Sequence, residues 1–262
     1  MHFCIRACDV SALAGRNIFR SRRVAIRRLV ESKISTISDD TYNTHNTYKD
    51  NRKLITMLRK GPHYQQAVTC NRLSPEICDS AEQECKQIVR DHCTSGTSSG
   101  DEQDVCDLFR RYQHLYLKDR GIVVEQKVVD KLKEMGKDIP SITKKDRSFS
   151  KGFTSESGEH TYTIYGCVDC IEKREGQNSS LIEIKSRKQQ HLRYVHELDQ
   201  ITTYLVISDW PQAYLVEYVN DGIYFSECVT LEEAKQIWYG EIKQPLEKSL
   251  TDAAQKIVDL LP

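Results

Sequence analysis

The stretches TYTIYGCVDCI, residues 161–171, and SLIEIK, residues 180–185, decide how this chain is read. Both are rich in the Thr, Tyr, Ile and Val that suit a pleated strand, and the polar run from Glu172 to Ser179, with Gly176, predicts a hairpin turn between them. Side chains two apart on a strand share a face, so Glu183 and Lys185 point one way while Ile182 and Ile184 enter a core. Asp169, read on the first strand, comes within reach of Glu183 across the hairpin. Two carboxylates beside an ammonium suit a hard divalent cation and a water directed at a phosphate. Charged residues alternate with apolar ones on the open face of many antiparallel strands, so the E-x-K triplet alone specifies little.

Elements on either side add to it. Val105 to Leu117 and Val123 to Met135 carry apolar residues at three and four spacing, which predicts two helices with Asp119-Arg120-Gly121 at their junction and Glu125 early in the second. His196 to Ile207 reads as a helix that puts Gln200 and Tyr204, four apart, on one face. Ala213 to Tyr218 and Gly222 to Cys228 read as strands, and Leu231 to Leu261 as one or two closing helices. Upstream, Asp9 to Glu31 has helical spacing broken at Gly15 and Asn17. Ser35 to Asn51 reads as a loop, and Leu54 to Leu58 and Pro75 to Val89 as helices. The run from Thr94 to Gly100 reads as a flexible link. The expected organisation is a helical region over 1–100 that could cover a site as a clamp, and an α/β core over 101–262. In that core a small mixed β-sheet is flanked by helices.

The order Gly121 and Glu125, Gly166-x-x-Asp169, Glu183-x-Lys185, Gln200-x-x-x-Tyr204 resembles the PD-(D/E)XK nuclease superfamily, in its RecB-like and lambda-exonuclease-like (YqaJ-type) branches. The resemblance covers about Asp119 to Tyr218 and implies a restriction-endonuclease-like core. It also implies that Glu125, Asp169, Glu183 and the backbone carbonyl of Ile184 hold Mg²⁺ or Mn²⁺, with Lys185 near the attacking water. By the same resemblance Gln200 and Tyr204 support the site and contact the strand being cut. Val168 stands where the literal motif has a proline. The segment from Cys8 to Asn17 is similar to the start of YqaJ-type recombination exonucleases, where such a segment contacts DNA. The function implied is metal-dependent hydrolysis of phosphodiester bonds, by a DNA exonuclease of recombination, repair or replication acting on DNA with a free end. Relatives with an iron-sulfur cluster carry three cysteines after the core; only Cys228 follows Tyr204 here, so no cluster is expected.

Composition sets the limits. The chain has 262 residues, 39% hydrophobic and 29% charged, ordinary values for a globular protein. No run approaches the ~20 apolar residues of a membrane span, and the start lacks the apolar run of a signal peptide. A nuclear or cytoplasmic protein is expected, with a mitochondrial leader as the alternative that the arginine-rich start offers. The net charge of +0 excludes bulk attraction to nucleic acid, so contacts must be local. Candidates are the arginines of the first thirty residues, Arg16 and Arg20 among them, and Arg187, Lys188, His191 and Arg193 beside the triplet. A solvated charged face is the plainer reading of both groups.

Two rivals remain. One is an inactive nuclease fold that binds DNA or protein. The other is a zinc module in which Cys167 and Cys170 join Cys4 and Cys8; the remaining cysteines, Cys70 to Cys106 among them, read as small buried hydrophobes.

Overall fold

The computed structural model describes residues 1–38, 54–70, 73–94, 115–141, 143–173, 179–187, 189–190 and 194–260. Several expected features therefore lie outside the described residues: most of the loop expected over 35–51, the link at 95–100, and most of the helix expected over 105–117. The turn at 174–178 and Lys188, His191 and Arg193 are outside them too. The chain forms two compact units, residues 1–41 with 128–262, and residues 42–127. This differs from the expected division at residue 100, because the N-terminal segment carries a strand that belongs to the sheet system of the larger unit.

In the larger unit the architecture is mixed α/β. Strand β1 (His2–Arg6) runs parallel to β3 (Thr161–Cys167), and β2 (Ser148–Thr154) pairs antiparallel on the other side of β3. A second sheet has the order β4 (Cys170–Glu172), β5 (Ser180–Arg187), β6 (Gln212–Val219) and β7 (Gly222–Phe225), with β8 (Val229–Thr230) also on β6. The hairpin expected between the two deciding stretches is present as the antiparallel pair of β4 and β5. β5 and β6 are parallel, a pairing that needs a crossover, and the helix α6 (Val195–Ser208) supplies it. At the start of α6 the Glu197 carboxylate accepts the Tyr194 backbone N–H at 3.1 Å. At its end Asp209 turns the chain with φ of 56°.

The two deciding stretches do not form one continuous sheet. β3 leaves the first sheet at Cys167 and β4 joins the second at Cys170, so Val168 and Asp169 form a joint between the sheets. Asp169 is therefore in a bend and not on a strand, a correction to the expectation. On β5, Leu181, Ile182, Glu183 and Ile184 are all buried. β5 lies inside its sheet between β4 and β6, and side chains of α6 reach over the Glu183 side.

Helix α1 (Ala7–Leu13) follows β1 directly and α2 (Arg22–Ser38) follows a break near Gly15, which has φ of 75°. Phe3, Ile5, Val10, Leu13, Ile164, Leu205, Trp238 and Leu250 share one core with the closing helices α7 (Leu231–Ile237) and α8 (Lys243–Leu260). A π-helical turn at Trp238–Ile242 joins these last two.

The smaller unit contains α3 (Pro62–Thr69), α4 (Pro75–Thr94) and the first part of α5 (Leu115–Glu134), around Leu54, Leu58, Tyr64, Val89 and Tyr116. α5 runs unbroken through Gly121, where a helix junction was expected, so Glu125 is in mid-helix. No helix among the described residues is long and apolar enough to cross a membrane.

Candidate active site

Glu183, Lys185 and Arg187 form one row along β5, and α6 covers the row. The Glu183 Oε1 accepts from Lys185 Nζ at 2.7 Å and from Gln200 Nε2 at 2.8 Å, and Lys185 Nζ also donates to Gln200 Oε1 at 3.1 Å. Burial works against the Lys185 ammonium. The carboxylates of Glu183, Asp169 and Glu197 outweigh it and hold its pKa above the ordinary lysine value. Lys185 is thus a fixed cation, held in a pocket of acids.

Gln200 passes the network on. Its Nε2 also bonds the Tyr204 hydroxyl at 2.9 Å, and that hydroxyl donates to the Cys167 carbonyl at 3.1 Å. Burial, with Glu183 nearby, raises the Tyr204 pKa, so the phenol keeps the proton that it donates. Gly166 gives Tyr204 its place. A Cβ at Gly166 would stand 2.5 Å from Tyr204 Cε1 and 2.9 Å from Ala7 Cβ. Glycine at 166 thus has a steric cause, the close approach of α1 and α6 to the end of β3.

The register of β4 on β5 pairs Cys170 with Ile182, which carries Asp169 toward Glu183. There the Asp169 Oδ2 accepts the Ile184 backbone N–H at 2.6 Å. On the Glu183 carboxylate, Oε2 is buried and has no hydrogen-bond partner. A buried carboxylate oxygen left without a partner costs on the order of 1–3 kcal/mol. A hard divalent cation held by Glu183 and Asp169 would remove that cost, and carboxylate oxygens are donors that suit Mg²⁺ or Mn²⁺. The residues present therefore fit the expected ion. Among the described residues no group of three or more His, Cys, Asp or Glu side chains is arranged to hold a metal. Of the carboxylates expected to hold it, Asp169 and Glu183 belong to the larger unit, and Glu125 lies on the part of α5 that belongs to the smaller unit.

Arg16, Arg20 and Arg187, expected near nucleic acid, are engaged in ion pairs. Arg187 donates through Nη2 to Glu197, its Nε lies 2.7 Å from Glu217 Oε1, and its guanidinium lies over the Tyr194 ring at 5.1 Å. Arg16 bonds Asp199 at 3.0 Å and also Glu241, and Arg20 bonds Asp9. Asp199 is fully buried and accepts from Ser11 at 2.7 Å as well, so Arg16 ties the segment after α1 to α6. Arg22 reaches Asp252 at 3.1 Å. Asp199, Glu241 and Asp252, which pair with Arg16 and Arg22, come from remote parts of the chain, which is why the start reads as a free positive patch in the sequence.

The zinc arrangement is also overturned. Cys4 and Cys8 are exposed, while Cys170 is buried on β4, and no cluster of three ligands forms among the described residues. Burial first, and then Asp169, push the Cys170 thiol up to about 12, so it is held as a neutral, inert group.

One residue of the site had no signal in the sequence reading. Arg147, at the end of a short 3₁₀ turn (Lys145–Arg147) before β2, sends Nη1 to the carbonyls of Val168, at 3.2 Å, and Asp169.

No protein-family model and no curated protein matches the chain. Among solved structures, the chain is similar to a protein called SSO0001, with TM-score 0.39 and 18% identity over 84% of this chain and 88% of that one. It is also similar to an alkaline exonuclease (LHK-Exo) from Laribacter hongkongensis, with TM-score 0.33 and 12% identity over 80% of this chain and 95% of that one. At these scores neither likeness bears on function, and the case rests on the geometry of the site.

Proposed function

We propose that the chain is a Mg²⁺- or Mn²⁺-dependent nuclease that hydrolyses phosphodiester bonds, acting on DNA from a free end in recombination, repair or replication. The observation that carries this reading is the buried, unpartnered Oε2 of Glu183 beside Asp169 and the fixed Lys185 ammonium. An ion bound by the two carboxylates would polarise the phosphate and lower the pKa of a bound water. Lys185 holds its proton and offers a donor to the attacking water or to the phosphate oxygen on which charge develops. Gln200 keeps Lys185 and Glu183 in register, and Tyr204 keeps Gln200 there. Glu125 as a further carboxylate, and the Ile184 carbonyl as a ligand, belong to the proposal through the sequence resemblance.

A second reading, a nuclease fold that binds DNA or protein without cutting, is favoured by one observation. Lys185, Gln200 and the Oε1 of Glu183 satisfy one another through hydrogen bonds. Digestion of linear and closed circular DNA with Mg²⁺ or Mn²⁺ separates the two. The expected result is cutting of the linear form alone, lost by at least 100-fold in Asp169→Asn and Lys185→Ala, in line with the loss of a group that stabilises transition-state charge. Wild-type rates in those variants, or no cutting by the parent protein, would overturn the nuclease reading. Equal rates on both forms would remove the requirement for an end.

A further inference from the structure

We infer that Arg147 is a positioning residue whose guanidinium secures the joint between the two sheets and so sets where the Asp169 carboxylate stands. Its effect on a metal site rests on the nuclease reading, whereas its effect on Asp169 does not.

Three successive carbonyls leave the β-ladder as the chain passes from β3 to β4, and a side chain satisfies each. Tyr204 donates to Cys167, and Arg147 Nη1 donates to both Val168 and Asp169. The Arg147 backbone is anchored in turn, because its own carbonyl accepts the Val168 N–H at 3.1 Å. Arg147 and Val168 therefore grip each other through main chain and side chain together. Val168 has no ring to restrain its φ. In this chain the restraint comes from hydrogen bonds. With its peptide held on one side, Asp169 directs Oδ2 onto the Ile184 N–H of β5 at 2.6 Å, next to Glu183. Arg147 has donors only and cannot coordinate a cation, so any influence on an ion must pass through Asp169.

The test uses the full chain and four variants: Arg147→Ala, Arg147→Lys, Asp169→Ala and the Arg147→Ala, Asp169→Ala double variant. The first readout is amide hydrogen exchange at Ile184 in metal-free protein, and the second is Mn²⁺ affinity measured by calorimetry without DNA. Arg147→Ala is expected to speed Ile184 exchange and to weaken Mn²⁺ binding, each tenfold or more. Arg147→Lys is expected to recover most of both, since an ammonium can still bond one of the two carbonyls. In the Asp169→Ala background the arginine change adds nothing, as expected for residues acting through one group. Circular dichroism checks folding; if Arg147→Ala fails to fold, Arg147→Gln and Arg147→Lys carry the comparison. Unchanged exchange and affinity in a folded Arg147→Ala protein, or its full effect added to that of Asp169→Ala, overturns the inference. Should the parent protein neither bind Mn²⁺ nor cut DNA, the nuclease reading falls, while Ile184 exchange still decides the role of Arg147.

Discussion

At Gly166 the absent side chain is what the site requires. Because a methyl group there would meet Tyr204 and Ala7 at 2.5 and 2.9 Å, Gly166→Ala must push Tyr204 off the Cys167 carbonyl or shift α1. Overpacking of this kind costs about 1–3 kcal/mol. We expect denaturant unfolding to show that loss and DNA cleavage to fall at least tenfold, since Gln200 loses its support. A variant within 0.5 kcal/mol of the parent and of equal rate would show that the approach is not needed. The same residues mark what the sequence discloses. Glu183 with Lys185, and Gln200 with Tyr204, are legible because two-residue and four-residue spacings on a strand and a helix bring side chains to one face. Arg147 is not legible, since it meets Asp169 across a turn, a strand and a return strand. The pairing of Arg16 with Asp199 and Glu241 is hidden for the same reason: nothing local announces a partner from the far end of the chain.

Among the elements, β1 and α5 show how local signals fail. β1 has only five residues, with Phe3 and Ile5 inward and His2, Cys4 and Arg6 outward, and it runs straight into α1. That alternation is too short to stand out before an arginine-rich helical stretch, yet it supplies the parallel neighbour of β3. β2 is similar, its Phe149 and Phe153 being the inward residues of a strand otherwise made of Ser, Lys, Gly and Thr. In α5 the error runs the other way, since Gly121 suggests a break and the helix continues through it. Gly121 therefore loses backbone freedom on folding, and a Cβ there meets nothing within 4 Å. Replacement by alanine should stabilise the protein by about 0.5–1 kcal/mol, the usual difference between the two in a helix interior. Chemical denaturation checks this directly. A Gly121→Ala protein less stable than the parent would mean that the helix does break there, as the sequence suggests.

At the scale of the molecule, every residue of the proposed site except Glu125 belongs to the larger unit. Asp169, Glu183, Lys185, Gln200 and Tyr204 all fall within 128–262, which shares a core with 1–41, while 42–127 has a core of its own around Leu54, Tyr64 and Val89. An ion bound by the native carboxylates and not by the unfolded chain stabilises what it binds, by RT ln(1 + [L]/Kd). At ten times Kd this is about 1.4 kcal/mol. If the units unfold separately, Mn²⁺ should delay the transition that reports on the larger unit, followed through Trp210 and Trp238, the two tryptophans, both of which belong to it. Exchange of Tyr64 and Val89 amides, which follows the smaller unit, should stay where it was. In Asp169→Asn the Mn²⁺ shift should vanish from the tryptophan signal, because one of the two carboxylates that create the demand for a cation is gone. Mn²⁺ protection that spreads equally to Tyr64 and Val89 would show that the two cores unfold as one, and protection that survives Asp169→Asn would place the ion elsewhere.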